Sequence, residues 1–468
     1  MIEYCPNYPN KFFLSLSFSP IENMVLKVLI VGGGIAGPSL AHWLSRLNTE
    51  VTLIERFPRM RAYGQQVDLR GQGVPMMKKM GIEAAVRAVT VHEPGMQLID
   101  QSGKEMAYFP SIATDSTQQS FSSEFEIMRG DLVKTLVSRW LLLFLPIFFL
   151  QLNFAQYDLT KSKTNVHHVF NTSVKRLEQD DDKNPDGKVH VQFTDGRKDD
   201  FDMVVGADGS GSQIRKIMLG PDAPDPRYSL KSHMGFFTIP SLPGDSDRWT
   251  LCHLPGRKVI GTRQDQPDLL RIYMIVHGKQ PALEAAQNSE SLEELKKAWS
   301  QLFENGGWKT DRFMHGLKHS PLADDLYSTR LEEVRLPKCS WSKGRVVLIG
   351  DAAHSQAVNG QGVTLGFVGS YILAGEIAAL ARQEGTSLSA AVGQGVKNYE
   401  KKFRPMVSQT QGSSFGLGVL LPQSKFGIGI LHTIAGWAAY LGYGQSGGTG
   451  ADSKATWSLP QYPELEGK

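Results

Sequence analysis

Cysteine is scarce: Cys5, Cys252 and Cys339 stand far apart in 468 residues. An odd number at such spacings argues against a disulfide framework, a zinc set or a paired redox motif, and a reducing, cytoplasmic compartment is expected. An excess of one charge is missing too. With 50 Lys and Arg against 47 Asp and Glu, the formal charge is +3, and no basic cluster is interleaved with aromatics, so nucleic acid is not an expected partner. The densest apolar stretch, Leu141 to Leu150, falls short of the roughly 20 residues needed to span a bilayer and is interrupted by Pro146. Phe12-Phe13-Leu14 is too short, and preceded by too little positive charge, to read as a secretory signal. Neither HExxH, nor a cysteine-histidine cluster, nor a Ser-His-Asp spacing occurs, so metal and hydrolase readings fall away. No internal repeats are found.

Glycine, by contrast, is plentiful at 47 residues, in a chain that is 41% hydrophobic and 21% charged. That composition belongs to a globular α/β enzyme, and the length leads us to expect two structural regions sharing one crevice. Residues 25–31 (VLKVLIV) are a β-branched run ending in glycines, IAGPSLAHWLSRL has helical spacing, and VTLIE is a second strand, which together make a β-α-β unit. GQQVDLRG at 64–71 reads as loop and strand, 73–89 as a helix, and EIMRGDLVKTLV as a strand end running into a helix. VFNTSVKRLEQ, KVHVQFTDG and FDMVVGADG alternate as strands, with Asp180 to Asp186 as a hairpin loop. Short strands and a charged helix near 290–304 follow, then a strand, a glycine loop and a long helix over 344–384.

Two segments interrupt this order. Residues 1–23 precede Met24, which reads as a natural start, leaving them as a mobile extension or an artefact. Residues 137–156 (VSRWLLLFLPIFFLQLNFAQ) read either as a buried helix or as a translated, retained intron. The intron reading is preferred because the helix of 131–137 would continue into YDLTKSKTNVHHVF without them, and Val-Ser, Leu-Asn and the final Gln can be encoded by splice signals. Spliced transcripts that uniformly encode the segment would refute it.

The chemistry begins at GGGIAG, which sets Gly32, Gly34 and Gly37 in the GxGxxG register between a strand and a helix. The first glycine allows the tight turn, the second lets backbone approach a pyrophosphate at the helix N-terminus, and the third permits close helix-strand packing. Glu55, at the end of the second strand, can accept hydrogen bonds from ribose hydroxyls. This pattern does not choose between FAD and NAD. Two later segments do: VVGADGSGSQIR at 204–215 and GRVVLIGDAAHSQAVNGQG at 344–362. They resemble the DG and GD motifs of FAD-dependent monooxygenases of the para-hydroxybenzoate hydroxylase type, over residues 25 to 405. Within that group the chain is most similar to tetracycline-inactivating and fungal secondary-metabolite monooxygenases.

The resemblance implies roles for particular residues. Asp208 would sit near flavin and nicotinamide, Asp351 would bond the flavin's ribityl chain, and Arg129 and Asp68 would contact the flavin side. The GQG loop, with Gly360 and Gly362, would begin a helix whose N-terminus favours the negative charge of reduced flavin. Arg61 falls where the tetracycline-inactivating members place an arginine for NADPH, with Arg56 and Arg59 as neighbouring alternatives. One departure stands out: Ser355-Gln356-Ala357-Val358 lacks the proline usual before the GQG loop. His354 is read as part of the strand-to-loop turn and not as a base.

The fold implied is α/β, a Rossmann-like FAD-binding domain over 24–228 and 341–412, with an inserted β-sheet substrate domain at 229–340 and a C-terminal helical region at 413–468. In its apolar part, near 415–442, packing helices are favoured over reversible membrane contact. The activity implied is NAD(P)H-consuming hydroxylation of an aromatic or polycyclic natural product in secondary metabolism. NADPH would reduce FAD, and oxygen would then give a flavin hydroperoxide. A Baeyer-Villiger or epoxidising oxygenase remains an alternative, as does an inactive flavin-binding protein disabled by residues 137–156. No metal is expected, and no residue is singled out as catalytic.

Overall fold

The structure, a computed structural model, describes residues 25–59, 66–91, 93–111, 125–137, 160, 163–181, 184, 186–289, 291–356, 360–383, 386–411, 420–442 and 457–466. Residues 1–23 and, of the segment 137–156, residues 138–156 lie outside the described residues.

The chain forms a mixed α/β fold. Strand Leu26–Val31 is apolar almost throughout and buried on both faces, as a central parallel strand must be. Thr49–Glu55 pairs with it in parallel on one side and Met203–Gly206 on the other. Val166–Phe170 extends the sheet beyond Thr49–Glu55, and Val346–Leu348 with the antiparallel Ser342–Lys343 extends it beyond Met203–Gly206. Helix Gly362–Ala381 packs against helix Ala36–Leu44, and the Ser370 hydroxyl donates to the Ala36 carbonyl at 3.0 Å. Among the described residues Gly362–Ala381 is also the helix long and apolar enough to cross a membrane, and 89% of its apolar window is buried inside the fold.

A seven-stranded sheet forms the second layer system, in the order Tyr327–Val334, Arg227–Pro240, Leu269–His277, Lys258–Gln266, Trp249–Leu254, Gly95–Ile99, Glu105–Pro110. Along Leu269–His277, Leu270, Ile272, Met274 and Val276 are buried, facing a core shared with Trp299, Phe303 and Phe313 of helices Leu292–Phe303 and Thr310–His319. Arg271, Tyr273 and Ile275 alternate onto the other face and are half-buried. Sheet membership therefore does not follow the expected boundary at 228/229. Gly95–Ile99 joins through parallel pairing to Trp249–Leu254, a register that no local pattern around residue 95 records.

The helix expected over 73–89 is two helices, Gly73–Lys79 and Glu83–Arg87, because Gly81 takes φ +73° and ends the first. Helix Lys425–Tyr440 packs by one face. Ile428 and His432 are buried, and Gly436 lies against the Met106 carbonyl, while Phe426, Ile434, Trp437 and Tyr440 are exposed.

The last described segment folds back on the core helix. Tyr462 is buried against Gly375, where any Cβ would overlap its ring, and its hydroxyl donates to Glu376, which also pairs with Lys402 at 2.6 Å. Tyr371 donates to Glu466 at 2.6 Å. Removing the Tyr462 hydroxyl in Tyr462→Phe strips a donor from a buried carboxylate. This variant is expected to lose about 1–3 kcal/mol of stability, read as a lower urea midpoint with an unchanged slope.

Candidate functional site

The carboxyl ends of the central parallel strands meet at one crevice, where ligands bind in open α/β sheets. After Leu26–Val31 the chain turns at Gly32, with φ +119° and the Ala207 backbone so close that a Cβ would overlap it. Gly37 is pressed just as closely on the Gly32 carbonyl, which brings helix Ala36–Leu44 onto its strand. Gly34 differs. A Cβ there would meet open space, its nearest neighbour being the Arg129 guanidinium at 3.9 Å.

Glu55, at the next strand end, accepts from the Gly33 N–H at 2.9 Å and from the Phe57 N–H at 3.1 Å, so its carboxylate braces the glycine loop. Arg56 is exposed, with its guanidinium 4.8 Å over the Phe57 ring. Arg61 lies outside the described residues, as do positions 357–359 of the segment that lacks the usual proline.

Asp351 opens the short helix Asp351–His354 after Val346–Leu348. Its side chain is solvent-accessible, yet desolvation raises its carboxyl above the usual range, with the Arg129 charge opposing the shift. Water thus reaches Asp351 at the carboxyl-end crevice although its surroundings desolvate it. Arg129 begins helix Arg129–Val137 and thus stands between Gly34 and Asp351.

Gly360 takes φ +68°, and Gly362 starts the long helix with nothing within 4 Å of its missing Cβ. A Cβ at Gly360 would lie 3.2 Å from Asp68 Oδ2. That oxygen also accepts from Arg70 Nε at 3.0 Å, whereas Asp68 Oδ1 is buried without a hydrogen-bond partner among the described residues.

Asp208 faces its own helix instead of the cleft. It accepts from the Ser212 hydroxyl at 2.5 Å and from the N–H groups of Gln213 and Ile214 at 2.7 and 3.1 Å, capping helix Gln213–Leu219. Desolvation pushes its carboxyl upward against those donors. His354 is buried between Trp341 and Phe403, and desolvation lowers it to about 3, so it is neutral and remote from proton transfer.

Several contributors carry no sequence signal of their own. Arg215, buried at the end of the DG segment, donates to the Ala352 carbonyl at 2.8 Å and to the Ser210 carbonyl at 2.5 Å, tying the DG loop to the helix of Asp351. Thr364 donates to the Arg70 carbonyl at 2.9 Å. Arg263, buried on strand Lys258–Gln266, pairs with both Glu93 and Glu126, and its guanidinium lies 4.6 Å over the Trp249 ring. Glu126 stands opposite Asp68 in the two-stranded ribbon of Gln66–Asp68 and Glu126–Met128. These contacts bring the half-buried face of the large sheet up to the Asp68 side of the cleft. On that face Phe236 packs against Tyr273 at 4.9 Å and against Tyr327 at 6.1 Å.

The FAD binding domain family matches residues 25–411. A flavin-dependent monooxygenase of Phoma sp., eupH, is 41% identical over 94% of this chain and 98% of its own. An FAD-dependent monooxygenase of Sarocladium schorii, asL4, is 36% identical over 94% and 99%. Among solved structures, the tetracycline destructase Tet(51) superposes with a TM-score of 0.66 at 24% identity, covering 94% of this chain and 99% of that one. Klebsiella pneumoniae HpxO, complexed with FAD and uric acid, gives 0.63 at 18% identity, covering 91% and 98%.

Proposed function

This chain belongs to the FAD binding domain family and is an FAD-dependent monooxygenase, and from that premise we propose that it uses NAD(P)H and dioxygen to hydroxylate an aromatic or polycyclic natural product. The observation that carries the reading is the convergence of Gly34, Arg129, Asp351 and the open start of helix Gly362–Ala381 on one cleft, with an aromatic sheet face beside it.

The residues fit FAD. Gly34 leaves room for a pyrophosphate to approach backbone, and Arg129 beside it offers a cation to the flavin side of the cofactor. The Glu55 carboxylate is placed for ribose hydroxyls, and Asp351 for those of the ribityl chain. The unpartnered Asp68 Oδ1 is an acceptor awaiting a donor. Bound and reduced by NAD(P)H, FAD supplies the activation of oxygen, one atom of which goes to substrate and the other to water. The protein's own work is placement. The N-terminus of Gly362–Ala381 favours negative charge at the flavin, Asp208 and Arg215 fix the loops on either side, and Arg56 or Arg61 would meet the nicotinamide cofactor.

In this reading 229–340 is the substrate region, joined by the strands of 95–110, and 24–228 with 341–412 hold the cofactor. The aromatic face of Trp249, Phe236, Tyr273 and Tyr327 suits a flat, electron-rich substrate and excludes water from the reaction. The closest substrate class by analogy is that of the fungal relatives' secondary metabolites.

The test uses full-length protein and a version lacking residues 137–156. A flavin spectrum bleached by NADPH, faster with a phenolic polyketide, and a product one oxygen heavier are the expected results. A colourless protein that cannot be reconstituted with FAD would overturn the reading, and a yellow protein that NADPH never reduces would favour the inactive alternative.

A further inference from the structure

The cluster joining the ribbon to the large sheet holds more carboxylates than cations. Arg263 grips Glu93 with two nitrogens, Nε to one carboxylate oxygen at 2.7 Å and Nη2 to the other, and Nη2 also meets one oxygen of Glu126. All three side chains are more than nine-tenths buried. Directly across the ribbon from Glu126 is Asp68, itself paired with Arg70 at 2.9 Å. Among the described residues three carboxylates, Asp68, Glu93 and Glu126, thus stand against two guanidinium groups, Arg70 and Arg263, and fully ionised they would leave one uncompensated negative charge in a buried site. Burying such a charge is costly, and retaining one proton removes it. Tyr273 also acts on Arg263, and Arg271, the register partner of Arg263 on the neighbouring strand, pairs with Asp325 at 3.6 Å.

The geometry selects the proton's holder. Among the described residues both Glu93 oxygens accept from the guanidinium, whereas Glu126 meets it through one oxygen, which leaves the other to carry a hydrogen. We propose that Glu126 is a positioning residue that holds this proton at neutral pH and thereby keeps Asp68 in place beside Gly360, at the start of the helix directed at the flavin. Burial pushes the Glu126 carboxyl up to about 7, with Asp68 and Glu93 adding to the rise and Arg263 opposing it, in keeping with this assignment. Once Glu126 ionises, it repels Asp68 across the ribbon and loosens the Gly360 loop.

This rests on the proposed placement of Asp68 beside the flavin, so the readout is FAD affinity, followed by quenching of flavin fluorescence from pH 6 to 8.5. Wild-type protein is expected to bind FAD roughly five- to tenfold more weakly at the upper end. Glu126→Gln, permanently neutral, should keep the tight binding across the range. Glu93→Gln, with one carboxylate fewer, should move the midpoint to lower pH. Should Glu126→Gln fail to fold, the Glu93→Gln midpoint decides alone, and an unmoved midpoint overturns the proposal. A flat wild-type profile, or a pH dependence that survives Glu126→Gln, overturns it as well. In the flat case Asp68→Asn separates the causes: weaker binding in that variant keeps Asp68 at the flavin, and unchanged binding removes that placement too.

Discussion

Replacing Arg263 by methionine is expected to destabilise the protein by about 3–5 kcal/mol near neutral pH, because removing one partner leaves buried charges uncompensated. The two carboxylates concerned, Glu93 and Glu126, are 8% and 4% exposed, and neither can reach bulk water without opening the seam between ribbon and sheet. Arg263 itself is held more firmly protonated than a free guanidinium: burial works against its charge, but Glu126 and Glu93 outweigh that effect. The sign with pH follows from the carboxyls. A carboxyl raised in the folded state, as Glu126 is, favours folding below its unfolded value of 4.5, and that benefit is lost as pH rises through about 7. Without Arg263 the rise is steeper, so the deficit of Arg263→Met should widen between pH 5 and 8. Urea unfolding at both values measures it. The triple variant Arg263→Met, Glu93→Gln, Glu126→Gln, which removes every charge of the set, should recover most of the loss. An equal deficit at both pH values, or no recovery in the triple variant, would show that the loss is of packing over Trp249 and not of charge.

This cluster marks where the sequence stops being legible. Strand-glycine-helix order around Gly32, the DG and GD segments and the long helix after Gly362 could all be read, because each is set by neighbours within a few residues: apolar runs, punctuating glycines, helical spacing. Glu93, Glu126 and Arg263 could not. Their meaning comes from a pairing 170 residues apart in the chain, and each alone looks like an ordinary solvated charge. The same reason hid the strands of 95–110, whose sheet is fixed by a parallel partner at 249–254. Asp208 shows the converse. Its motif was plain, but the motif does not say which way a carboxylate points, and the donors of Ser212, Gln213 and Ile214 turn it into a helix cap.

The glycine loop separates folding from cofactor binding most sharply, because two of its glycines face protein and one faces the cleft. Gly37→Ala sets a methyl group inside the Gly32 carbonyl oxygen, which is backbone and cannot swing aside. Either the helix Ala36–Leu44 lifts from its strand or the turn at Gly32 deforms. Eight of that helix's nine residues are buried, so lifting it disturbs the main core. A loss of about 1–3 kcal/mol or more is expected, with little flavin retained on purification. Gly34→Ala should behave in the opposite manner. Its added methyl meets only the end of the Arg129 side chain at 3.9 Å, so the apoprotein should melt within a degree or two of wild type. The methyl would, however, occupy the space through which a pyrophosphate reaches the backbone, and FAD affinity should fall by roughly a hundredfold, as a loss of about 2.7 kcal/mol requires. Thermal melting of the apoproteins beside FAD titration of each variant distinguishes the two effects. A Gly34→Ala protein that binds FAD as tightly as wild type would place the pyrophosphate away from this loop, whereas one that loses affinity while melting normally ties the open face of Gly34 to the cofactor.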